Sequence, residues 1–128
     1  MLLLMEHAMT RVLIVDDQPA FRRQLGALLA HAGLEVVGEA GDIATAETLA
    51  QARQPDLAIV DVLLPGVSGI EGTPRLKALA PNMRVILVSA YHERLLHASA
   101  QAAGAEAFIP KDELDLSVAM SWMKTKEA

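Results

Sequence analysis

The chain has no cysteine among its 128 residues. Disulfides, zinc–thiolate centres and thiol nucleophiles are therefore excluded together. Aromatic residues are scarce (two Phe, one Tyr and one Trp), so any core must be aliphatic and rich in Ala. Positive charge is short as well. Eleven Lys and Arg against sixteen Asp and Glu leave a formal net charge of -5, the opposite of the basic face that nucleic-acid-binding domains carry. No apolar run approaches the roughly 20 residues needed to cross a bilayer, and no membrane association is expected. The opening MLLLMEHAMT holds a short apolar stretch but neither a basic segment nor a small-residue cleavage site. No signal peptide is expected, and the expected location is cytoplasmic. Phosphate loops of the GxGxxG and GxxxxGK(S/T) types and a GxSxG elbow are also missing, which removes dinucleotide, P-loop and α/β-hydrolase chemistry. The four His residues follow no metal-ligand spacing, and His92 and His97 read as surface residues.

What is present is a 52% hydrophobic composition arranged in alternating short apolar runs and helical patterns. Residues 1–9 are expected to be a frayed tail, with Met5 and Met9 as alternative starts. Residues 10–128 are expected to form one domain. Strands are predicted at Arg11–Val15, Leu34–Gly38, Leu57–Val60, Met83–Val88 and Ala107–Ile109, and helices at about Pro19–Ala32, Asp42–Arg53, Ile70–Leu79, His92–Ala103 and Glu113–Lys124. Pro19 suits a first helical turn, Gly33 a helix end and Asp42 an N-cap. Thr73–Pro74 falls inside the third helix and predicts an irregular first turn there. Strands alternating with helices of this length indicate an α/β fold with a parallel sheet covered on both faces. Five strands in the doubly wound order 2-1-3-4-5 put strands 1 and 3 at the topological switch point.

The polar residues fall where such a sheet binds ligands, outside the carboxyl ends of its strands. Asp16 and Asp17 follow VLIV, Asp61 follows LAIV, Ser89 follows VILV and Lys111 follows FIP. Asp16 and Asp17 alone read equally well as a helix cap and a solvated acid, with Gln18 as a further cap candidate. Three carboxylates brought within a few ångströms would raise one another's pKa, and a divalent cation relieves that repulsion. Oxygen ligands without nearby His or Cys favour Mg²⁺ over zinc. Asp61, alone between a buried strand and a Pro/Gly loop, has the character of a nucleophile toward phosphorus. Ser89 and Lys111 carry little signal singly. At the same sheet edge they become a hydroxyl donor and a point cation for a phosphoryl group. Phe108 reads equally as core packing.

The segments VLIVDDQP, LAIVDVLLPGVSGIE, VILVSAY and GAEAFIPKDEL, spread over residues 11–124, resemble the receiver domain of two-component response regulators. AFRRQLGALL and LEVVGEAGD are similar to the NarL/LuxR-like subfamily, whose members usually carry a C-terminal helix-turn-helix. The resemblance implies a flavodoxin-like (βα)5 fold and a switch rather than an enzyme with an independent substrate. It implies that Asp61 accepts a phosphoryl group from a sensor histidine kinase. It further implies that Asp17, Asp61 and the carbonyl of Leu63 hold Mg²⁺, with Asp16 acting mainly through water. Lys111 would pair with the phosphoryl group, Ser89 would bond it, and Phe108 would rotate inward behind Ser89. The sequence departs from the family in one place: Pro110 precedes Lys111 and Asp112 follows it, where the family commonly has Lys-Pro. The loop before the last helix is therefore expected to sit differently. Leu63 and Tyr91 occupy the variable positions flanking the phosphoryl group. Neither helps water attack, so slow self-dephosphorylation is expected.

The last predicted helix holds two apolar stripes, Leu114/Val118/Trp122 and Leu116/Met120/Met123. One face cannot bury both, so a partner or homodimer surface built from helix 4, strand 5 and helix 5 is expected. Its partner would be an output domain or a downstream protein. Alternative readings are the receiver part of a DNA-binding regulator and a phosphorylation-independent adaptor. The intact set of polar residues argues against the adaptor.

Overall fold

The computed structural model describes residues 9–92 and 94–123. Met9 is exposed; the rest of the expected N-terminal tail lies outside the described residues. Five strands, β1 (Arg11–Val15), β2 (Glu35–Ala40), β3 (Leu57–Asp61), β4 (Arg84–Ser89) and β5 (Ala107–Pro110), alternate with five helices. The helices are α1 (Pro19–His31), α2 (Ile43–Arg53), α3 (Gly69–Leu79), α4 (Arg94–Ala103) and α5 (Leu116–Met120). The strands form one parallel sheet in the order β2-β1-β3-β4-β5, as expected.

Alternation along each strand sends successive side chains to opposite faces. Leu13, Val15, Ala58, Val60, Val85 and Leu87 pack with Ile43 and Ala46 of α2, Leu76 of α3 and Ala100 of α4. Val12, Ile14, Leu57, Ile59, Ile86 and Val88 pack with Leu25 and Leu29 of α1 and with Ala119 and Trp122 at α5. β3 lies at the centre and is buried at all five residues, which explains its unbroken apolar run. β2 is an edge strand with Glu35 outward.

Local signals explain most element ends. Asp42 caps α2, accepting the Thr45 N–H at 2.8 Å. Gly33 closes α1 at φ +90°, a conformation that costs glycine little. Ser68 and Glu71 form a capping box at the start of α3.

Three expectations are corrected. The first turn of α3 is regular despite Pro74. Thr73 Oγ1 donates to the Gly69 carbonyl at 2.8 Å, and the Gly72 N–H reaches Ser68 O, also at 2.8 Å. β2 runs to Ala40 rather than Gly38, because Gly38, Glu39 and Ala40 still pair with Leu13, Ile14 and Val15. The helix expected over Glu113–Lys124 is broken up. A 3-10 turn covers Lys111–Glu113, Leu114 is extended, and Asp115 caps a short α5 by accepting the Val118 N–H at 2.9 Å. A cap inside the predicted span restarts the helix. Lys124 lies outside the described residues, as does Glu93 before α4.

Candidate functional site

The acid pair divides its labour by burial. The Asp16 N–H donates to Ala40 O at 2.9 Å, which binds the residue to the sheet edge, and its side chain is 1% exposed. Its Oδ1 accepts the Gln18 N–H at 2.8 Å, so the backbone ahead of α1 is held by Asp16. The Gln18 side chain, expected as a possible cap, makes no capping bond. Asp17, next in sequence, is exposed.

Asp61 ends β3, buried, with its Oδ1 accepting the Leu63 N–H at 3.3 Å. A β-carbon at Gly69 would lie 2.1 Å from the Asp61 carbonyl oxygen, so only glycine permits α3 to start this close to the site. Ser89 ends β4 and is buried, its Oγ accepting the Tyr91 N–H at 3.0 Å. Lys111 follows β5. Its Nζ stands 2.7 Å from Asp16 Oδ2, 3.4 Å from Asp61 Oδ2 and 4.1 Å from the centre of the Phe21 ring.

The structure therefore brings Asp16, Asp17, Asp61, Leu63 and Lys111 into one place. Asp17, Asp61, Leu63 and Lys111 line an open depression of about 310 Å³, closed on the far side by Ala90 and Tyr91. Ser89 opens into a neighbouring crevice of about 220 Å³ that shares Leu63 and Tyr91 with it. Phe108 lines neither. Its ring is buried behind β5 and meets the exposed His97 edge-on, with centroids 4.5 Å apart. Two contributors were not singled out from sequence. Phe21 sits one turn beyond Asp17 and so at the same sheet edge, but no local sequence pattern marks it as part of the site. Gly69 looked like any glycine of the loop.

Charge at the site is unbalanced. Ligand atoms of Asp16, Asp17 and Asp61 lie within 4.8 Å of one another, with one ammonium among them. Burial pushes the Asp61 carboxyl up to about 6; Lys111 opposes the shift, the Asp16 charge adds to it, and the Leu63 N–H opposes it. Asp16 Oδ2 is buried, and its ion-pair partner is the Lys111 ammonium 2.7 Å away. Spare lone pairs on a buried carboxylate, beside two more carboxylates and no soft ligand, fit a hard divalent cation.

The match to known proteins follows the same residues. Residues 12–119 match the response regulator receiver domain model. The chain is 39% identical over 103 residues to the transcriptional regulatory protein PdtaR of Mycobacterium tuberculosis, covering 79% of this chain and 49% of that protein. It is 35% identical over 101 residues to the chemotaxis protein CheY of Thermotoga maritima, covering 79% of this chain and 84% of that one. The solved signal receiver domain of NarL from Mycobacterium tuberculosis superposes with a TM-score of 0.81 at 32% identity, over 88% of this chain and 91% of that one. The chain spans about half the length of the transcriptional regulators it matches. Among the described residues no helix is long and apolar enough to cross a membrane. Sheet order, the acids at the switch point and a family match over most of the length agree: this chain belongs to the response regulator receiver domain family.

Proposed function

We propose that Asp61 is the phosphoacceptor of this receiver and that a sensor histidine kinase is its phosphodonor. One observation carries the proposal. Asp61 is a buried carboxylate at the end of the central strand, bonded to Lys111 on one oxygen and to the Leu63 N–H on the other, and it opens onto the depression. In the transfer, a carboxylate oxygen of Asp61 forms a bond to phosphorus as the phosphorus–nitrogen bond of the phosphohistidine breaks, and the ring, already protonated on its other nitrogen, leaves with the bonding pair as neutral imidazole. Asp61 must be ionised to attack; burial raises its carboxyl to about 6, and a bound Mg²⁺ would favour the ionised form.

Asp16, Asp17, Asp61 and the Leu63 carbonyl are the groups that would hold Mg²⁺. When bound, Mg²⁺ neutralises charge on the carboxylates and on the phosphoryl oxygens. Lys111 stays within reach of the new phosphoryl oxygens, and Ser89 turns its hydroxyl toward them from the adjacent strand end. The added charge biases the β4–α4 loop and α4, which changes the surface that α4, β5 and α5 present. Phe108, buried and met edge-on by His97 of α4, is the ring that would turn inward behind Ser89 as that surface shifts.

That surface would meet an output domain or downstream protein, or a second copy of the chain. Of the two stripes expected on the last helix, the first turns inward, with Trp122 buried beside Ala119 and Leu114 and Val118 half-buried. Leu116, Met120 and Met123 stay 39%, 47% and 40% exposed. The roughly half-length match to a DNA-binding transcriptional activator of Mycobacterium tuberculosis favours an output that binds DNA through a separate domain.

Intact mass after incubation with Mg²⁺ and acetyl phosphate tests the proposal. A gain of one phosphoryl group that needs Mg²⁺ and vanishes in Asp61→Asn is the expected result. The adduct should persist for minutes or longer, since Leu63 and Tyr91 leave no group to activate water. A folded protein that gains no mass from either acetyl phosphate or a histidine kinase would sink the assignment.

A further inference from the structure

The aromatic ring beside Lys111 is left unexplained by the acid cluster. We propose that Phe21 is a positioning residue for Lys111, its ring face seating the ammonium at the acidic cluster without competing for the cation site; this rests on reading Asp61 as the phosphoacceptor.

Lys111 Nζ lies 4.1 Å from the Phe21 ring centre, well inside the roughly 6 Å over which a ring face attracts a cation. The ammonium thus has three neighbours from three elements: Asp16 after β1, Asp61 ending β3 and Phe21 on α1. The backbone gives it less help. Lys111 opens a short 3-10 turn whose next two residues, Asp112 and Glu113, are exposed, and no proline follows to stiffen it. The ring is better anchored. It stands on the first turn of α1, whose Leu25 and Leu28 join it and Leu114 around a small cavity of about 120 Å³ beneath Lys111.

The chemistry of the seat sets it apart from the carboxylates. Asp16, whose Oδ2 lies 2.7 Å from Lys111, is also a ligand candidate for a divalent cation, so a cation there takes over part of the attraction that holds the ammonium. A ring face offers no oxygen lone pair and is ignored by a hard cation. It keeps its hold on Lys111 whether or not the carboxylates are engaged. Phe21 should therefore affect how fast Asp61 gains a phosphoryl group and leave Mg²⁺ affinity nearly untouched.

Phe21→Leu and Phe21→Met remove the ring while keeping apolar bulk, and Phe21→Tyr keeps the ring. Two readouts are taken on each folded protein. The first is the upfield ring-current shift of the Lys111 side-chain methylene protons by NMR. The second is the rate of phosphoryl gain from acetyl phosphate at saturating Mg²⁺, with Mg²⁺ affinity measured by calorimetry. The shift should be present in the parent and Phe21→Tyr and absent in the other two. The rate should fall by about 3- to 30-fold in Phe21→Leu and Phe21→Met only, with Mg²⁺ affinity unchanged. A parent-like rate in both ring-less variants overturns the proposal. So does Phe21→Tyr slowed as much as Phe21→Leu, or no shift in the parent. If the parent itself gains no phosphoryl group, the phosphoacceptor reading falls instead, and the shift alone judges the seat.

Discussion

Helices α3 and α4 are nearly equal in length, eleven and ten residues, and cover the same face of the sheet, yet they are anchored differently. α3 starts on a capping box, sets Gly69 against the Asp61 carbonyl, and buries Gly72, Thr73 and Leu76. In α4 only Ala100 is fully buried; Leu96 is half-buried, His97 leans on Phe108, and Leu95 is 82% exposed. The residues of the site divide along the same line. Asp61 and the loop to Leu63 are tied to the firm side. Ser89 and Phe108 flank α4, and Lys111 opens the exposed turn after β5. A receiver needs a rigid frame for its acids and a loosely held element to answer the phosphoryl group. Elements that move are drawn from the low-stability end of a structure.

The sharpest way to break this comparison is to truncate one leucine in each helix. Leu76→Ala should cost about 3–4 kcal/mol of unfolding free energy, because it leaves a cavity in the core, while Leu96→Ala should cost about 1 kcal/mol. Urea denaturation measures both, and equal losses would show that α4 is held as firmly as α3. Gly69→Ala comes next. Its β-carbon must displace the Asp61 carbonyl, so a loss of about 2 kcal/mol is expected, together with weakened Mg²⁺ binding as the loop carrying Leu63 shifts. An unchanged melting midpoint would mean that the start of α3 yields easily and the frame is not rigid.

The pH dependence of stability is smaller and more specific to Asp61. Its carboxyl is raised from 3.8 to about 6 in the folded protein. Between those values the folded state holds a proton that the unfolded state has released, so metal-free stability should fall as pH rises through this window and level off above it. Mg²⁺ should offset that loss, since it favours the ionised carboxylate, and Asp61→Asn should flatten the profile. Stability that rises across the window relative to Asp61→Asn would show that Lys111 outweighs burial at Asp61.

Much of this was legible in the sequence, for identifiable reasons. The runs VLIV, LAIV and VILV are strands buried on both faces, and a polar residue ending such a run has to emerge at the sheet edge. Asp16, Asp61 and Ser89 are legible in the sequence for that reason. Asp42 as a cap and Gly33 as a stop are local effects and were equally visible. The helix over Glu113–Lys124 was misjudged because helical spacing of apolar residues says nothing about Asp115 capping a new start within it. Gln18 was misjudged because the choice of capping group depends on how Asp16 sits after β1.

The order of the strands, the residue types at their carboxyl ends and the excess of acid over base at one edge follow from the sequence itself, because periodicity and strand–helix alternation leave few ways to bury so many aliphatic side chains. The tertiary structure alone decided which acid of the pair is buried, that Lys111 leans on Asp16 more closely than on Asp61, and that Phe21 lies beneath it. It also decided which stripe of the last helix faces water. Those outcomes depend on distances between segments far apart in the chain, set by packing that no local pattern encodes.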